Sequence, residues 1–124
     1  MPTVNKQSTR VDFSQLTDSL ANNTAVSDVF GSGGKIYFLF VSSSGVTASG
    51  SHDYLKLYDT KDQVDTAADA PDFIFPITYG VNEVFHFPDG LTISNGLGYV
   101  ASNAGGTGAG ANPNRTLSLQ MVFK

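Results

Sequence analysis

Cysteine is absent from this chain, and so is tryptophan. Without a thiol there is no cysteine nucleophile, no iron–sulfur cluster, no cysteine zinc site and no disulfide, so packing alone must hold the fold. Glutamate occurs once, at Glu83, among eleven acidic residues. A carboxylate pair for glycoside hydrolysis would have to come mostly from aspartates, and no spacing singles out two of them. Cations are few and scattered, at Lys6, Arg10, Lys35, Lys56, Lys61, Arg115 and Lys124, leaving a net charge of −4. Binding to phosphate backbones needs clustered cations that displace counterions, so no nucleic-acid partner is expected. No apolar run approaches the ~18 residues of a membrane span, and "MPTVNKQSTRVDFSQL" has no apolar signal core. The expectation is a soluble chain with no membrane partner and no export signal.

What the chain does have is phenylalanine, nine of them, and five tyrosines in 124 residues. That length suits one domain, burying roughly two thirds of its unfolded surface. Residues 1–23 are polar and read as an N-terminal arm, with "VDF" as a short strand or "SQLTDSLA" as a helical turn. Val11, Phe13 and Leu16 are its expected contacts with a neighbouring subunit or shell, ordering as they bind. From residue 24 to 124 the apolar period becomes two. Ala25–Phe30 reads as a first strand, and "KIYFLFV" as a central one with Ile36/Phe38/Phe40 and Tyr37/Leu39/Val41 on its two faces. "DYLKLYD" reads as half-buried. "FIFPITY" is expected at an edge because Pro76 has no N–H to donate. "EVFHF" ends at "PDG", and "LTISNGLGYV" is read as a hairpin turning at Asn95-Gly96, with Ser94 opposite Leu97. In "TLSLQMVF", Leu117, Leu119, Met121 and Phe123 share the core face. About eight strands with little helix imply an all-β, single antiparallel β-sandwich of jelly-roll or immunoglobulin-like topology, with a closed barrel as the alternative.

Chemistry-bearing motifs are weak. The glycine-rich "NAGGTGAGANPNR" at 103–115 leads into a strand rather than a helix and lacks GK[ST], so it is a flexible connector and not a phosphate cradle. Asp59, Asp62, Asp65, Asp69 and Asp72 do not have EF-hand spacing and read as solvated charge. His52 and His86 are the only histidines, and no nucleophile-elbow sequence accompanies either; His86 is expected to face away from Phe85 and Phe87. Tyr54 and Tyr58, two positions apart, are the candidate aromatic platform for a glycan. No catalytic residue, metal or cofactor is expected.

The order "KIYFLFVSSSG", "DYLKLYD", "APDFIFPI", "HFPDGLTISNGLGYVAS" and "LSLQMVFK" resembles a family of small virion structural proteins of tailed phages, of capsid decoration or cement type. In that family a Y-L-K-L-Y-D strand, an A-P-D-hydrophobic-P-I turn and an F-x-x-G-x-x-F-S-x-G-L hairpin recur in this order. The match spans about residues 35–124, with Ile93 where the pattern has an aromatic. The resemblance implies a non-enzymatic protein on the capsid exterior. Its partners would be the major capsid protein or other virion subunits, and its own copies as a homo-oligomer, a trimer by preference. The alternatives are a tail or fibre component, or a carbohydrate-binding, host-attachment module.

Overall fold

The two-residue alternation becomes eight strands in the computed structural model, which describes residues 4–8, 13–22, 24–27, 29–30, 32–44, 52–66, 68–106, 108 and 110–124. In chain order they are β1 (Val4–Ser8), β2 (Ser14–Ala21), β3 (Gly34–Ser44), β4 (His52–Asp59), β5 (Phe73–Thr78), β6 (Asn82–Ile93), β7 (Leu97–Ser102) and β8 (Thr116–Phe123). No helix occurs among the described residues. The strands form two antiparallel sheets, ordered β1-β2-β8-β3-β6 and β5-β4-β7. Leu16, Leu39 and Leu119 of the larger sheet share one buried cluster with Leu55, Leu57 and Ile77 of the smaller. The fold is an all-β sandwich, and its two separate sheets exclude a closed barrel.

β8 behaves as its alternation predicts: Leu117, Leu119, Met121 and Phe123 are buried, while Thr116 and Gln120 are exposed. β3 is central, flanked by β8 and β6, but its faces differ from the simple alternation. A bulge between Ile36 and Phe38 shifts the register against both neighbours. An extra residue in one strand inverts the parity beyond it. Ile36 therefore shares the core with Leu39 and Val41, while Phe38 and Phe40 lie half-exposed on the outer side. β6 continues past Pro88-Asp89-Gly90, where a stop was expected, and residues 87–90 lie between its paired His86 and Leu91 where β3 has only Tyr37.

Four further expectations are corrected. Residues 14–21 are neither a helical turn nor a free arm: β2 pairs with β8 along the larger sheet. Leu16 is 0% exposed, so it is already spent on the chain's own core and is not a contact for a neighbour. Val11 lies outside the described residues. Phe13 packs edge-on against Tyr37 at 5.3 Å, with the Lys124 ammonium over its ring. Next, the described residues of the segment read as a strand at Ala25–Phe30 form an isolated bridge, Val26 to Tyr99, as a strap beside β7.

The Asn95-Gly96 turn is not a hairpin. β6 pairs with β3 and β7 with β4, so the chain crosses from one sheet to the other at this corner. Ile93, Leu97 and Tyr99 are all buried, each by the sandwich that its own sheet helps to form. Finally, β4 is buried on both faces rather than one. The loops before β5 and after β7 cover its outer side.

Candidate functional site

The outer side of the small sheet is built from alternate residues of β4. Asp53, Leu55 and Leu57 share one face, and Tyr54, Lys56 and Tyr58 the other. Tyr58 packs with Val100 of β7 and with Val64, brought over by the acidic loop. The Val64 amide is anchored to the Ser27 hydroxyl at 3.0 Å. Burial raises the Tyr58 phenol above its ordinary pKa, and the charge of Asp69 adds to that. Lys56 is fully buried, and its ammonium donates to the Gly108 carbonyl at 2.9 Å. Burial lowers its pKa. Gly105 sits over Tyr54 so closely that a Cβ there would come within 2.8 Å of the ring.

The glycine-rich loop is therefore a fastened flap rather than slack. Its base is closed by the Asn103 amide on the Ala111 carbonyl at 3.1 Å and by the Ala111 amide on the Asn103 side chain at 2.9 Å. At its far end the amides of Asn114 and Arg115 both donate to the buried carboxylate of Asp53, at 2.8 and 3.0 Å. The Asn114 side chain donates to the Tyr79 hydroxyl at 2.7 Å, and the Arg115 guanidinium lies over the Tyr79 ring. Two adjacent amides gripping a carboxylate are the geometry that elsewhere holds a phosphate. Here the chain fills that nest with its own aspartate.

The corner between β6 and β7 repeats the arrangement. The amides of Ser94 and Asn95 donate to Asp59, at 3.0 and 2.8 Å. Burial alone would raise the Asp59 carboxyl, but the amides of Ser94, Asn95 and Gly96 and the Asn95 side chain outweigh it and hold the pKa below the usual range. The acidic loop is likewise self-capped: Asp72 accepts from the Asp59 amide at 2.7 Å and Asp69 from the Asp65 amide at 2.9 Å. These aspartates fold the loop, which the solvated-charge reading missed. A further carboxylate crosses the core, where Asp18 accepts from the Tyr99 hydroxyl at 2.7 Å. Burial, then that hydrogen bond and the Asp18 charge, raise the Tyr99 phenol.

The two histidines lie on different sheets. His52 lies beside Tyr54 and opposite Thr78, while His86 is exposed on β6 with Phe38 as its ring neighbour. As alternation predicts, Phe85 and Phe87 turn the other way and pack on Phe75. Among the described residues no three His, Asp or Glu side chains converge as a metal-binding group. Tyr54 and Tyr58 lie half-buried and buried beneath the loops, so they present no open platform.

The outer side of the larger sheet is different. Thr17, Gln120, Phe40 and Val84 align across β2, β8, β3 and β6, and Gln15, Val122, Phe38 and His86 form the next row. All eight are half-exposed or exposed. This is a broad, weakly charged face with aromatic and aliphatic side chains at its centre. A scan against protein-family models finds no match, and searches of curated proteins and of solved structures return none either.

Proposed function

We propose that this chain is a non-enzymatic virion structural protein of a tailed phage, a capsid decoration protein that binds the shell exterior as a symmetric oligomer. The observation that carries this reading is the outer face of the five-stranded sheet. Its two central rows span four strands and hold no Asp, Glu, Lys or Arg side chain. Such a face suits docking on a regular lattice, where modest contacts repeated around a closed oligomer sum to durable attachment. The amide nests at Asp53 and Asp59 are internally filled, which supports a contact role over anion binding at these loops. The glycan-binding alternative loses the tyrosine pair on which it stood. The acidic balance disfavours a place against packaged DNA.

The test is a count of copies per particle, by quantitative mass spectrometry of purified virions that carry this chain. Hundreds of copies, in fixed ratio to the major shell subunit, are the expected result. A handful of copies would move the protein to the tail or a fibre, and none would end the virion reading.

A further inference from the structure

A sandwich of two open sheets has four edges, and an unpaired edge is a template for a further strand. Three of the four are blunted here. The free side of β7 is taken by the 22–29 strap: Val26 and Tyr99 exchange amide bonds at 2.9 Å, Val29 donates to Leu97 at 2.8 Å, and Ala101 donates to Asn22 at 2.9 Å. β5 carries the exposed Pro76, which has no N–H to offer a further strand. β1 has a lysine at its middle position. β6 has none of these devices over Asn82–His86, ahead of its register shift. That stretch holds no lysine, no proline and no bulge, pairs regularly with β3, and makes no backbone hydrogen bond to described residues on its far side.

A second observation falls at the same place. Among the described residues two large hydrophobic side chains are exposed, Val81 at 45% and Val84 at 53%, and both lie at the start of this edge. We infer that the β6 edge is an interface between two copies of this chain, paired antiparallel about a two-fold axis. An antiparallel edge is its own complement, because each copy offers the donors and acceptors that the other needs. In the register that sets Val84 opposite the partner's Val84, Glu83 falls opposite Phe85 and Asn82 opposite His86, so no two like charges meet. Glu83 is the one acid within Asn82–Phe87, and in this register it does not face its own copy. Pairing would also join the two outer faces, since Phe40 stands next to Val84 in the same row. The unit so formed is a pair, in place of the trimer that the family resemblance implies.

This interface is tested on the isolated chain, so its outcome is independent of the virion reading, which copy number decides. Light scattering is expected to give twice the 13.1 kDa of one chain. Val84→Lys should return it to a monomer that keeps the parent circular dichroism spectrum and whose melting no longer depends on concentration, whereas Gln120→Lys, on the same outer face but away from the edge, should leave the pair intact. Because the chain has no cysteine, Val84→Cys can be cross-linked cleanly. Opposed Cβ atoms about 5 Å apart should oxidise rapidly to one disulfide-linked pair, and Thr116→Cys should not. The Val84→Cys result stands even if the lysine variant fails to fold. A wild-type monomer at all concentrations, dissociation by Gln120→Lys but not Val84→Lys, or equal cross-linking at positions 84 and 116 would each overturn the inference.

Discussion

Asp59 holds the corner between the sheets with a charge rather than with packing. Its carboxylate accepts from two amides that would otherwise be left without a protein partner at the turn. Asp59→Asn keeps the shape but replaces one charged oxygen by a donor, and should cost about 1–3 kcal/mol at neutral pH. The folded pKa is depressed, so this stabilisation is complete above the ordinary carboxylate range, about 4, and is lost as pH falls through the lower folded value. Chemical denaturation of both proteins should give a gap that is flat from pH 7 to 5 and closes below 4. A gap that widens on acidification would reverse the assignment. In β8 the contrast is between faces. Leu119→Ala removes a fully buried side chain and should cost about 2–5 kcal/mol, whereas Ser118→Ala on the outer side should stay within about 0.5 kcal/mol. Equal melting shifts would mean that the register is wrong. Sequence made Leu119 legible because alternation reports burial. It left Asp53 and Asp59 looking like surface acids, because an aspartate's partner amides lie tens of residues away. Parity held one unused clue: Asp53 falls in step with Leu55 and Leu57, so it shares their face.

At the level of elements, strand existence was legible from β3 onward and strand pairing was not. Asn-Gly between two apolar runs is a strong hairpin signal, yet the chain uses it to change sheets. Local sequence encodes a tight turn, and the destination of each arm depends on which distant strand buries it better. The corner is tight because Gly96 lies against the backbone of the next loop. A Cβ there would stand 2.9 Å from both the Lys61 Cα and the Thr60 oxygen, neither of which can swing aside. Gly96→Val should therefore lower the melting temperature strongly, and Gly106→Ala, with nothing within 4 Å of its added carbon, should not. Indistinguishable thermal melts would place the corner elsewhere. The bulge at Ile36–Phe38 was equally invisible, because both faces of β3 are apolar and either parity looks acceptable. The fastened flap at 103–115 escaped notice because composition reports glycine's freedom but not the lysine and aspartate that remove it.

For the whole molecule, the boundary between arm and domain moves toward the N-terminus. β2 joins the larger sheet through β8 and contributes Leu16 and the Asp18–Tyr99 bond to the interior. Removing residues 1–20 should abolish cooperative unfolding, followed by near-ultraviolet circular dichroism, and removing residues 1–3 should leave it unchanged. A 1–20 deletion that still melts near the parent temperature would restore the arm. The first twenty residues were misread because one leucine and one aspartate on the inner face, among serines and threonines, give too little contrast to register as a period.

The order β1-β2-β8-β3-β6 also has a consequence in time. β8 separates β2 from β3, so two strands made early have no common neighbour until the latest of the described strands exists. A ribosome that has reached Ser102 has delivered every strand of the small sheet, but the large one is still in two unjoined parts. The Leu16 and Leu39 faces then wait uncovered at the same moment, each beside an open ladder. Closure is a single late insertion of β8 between two waiting edges. The nascent chain is most vulnerable to aggregation just before Thr116 emerges, and a holdase chaperone would find its best substrate there.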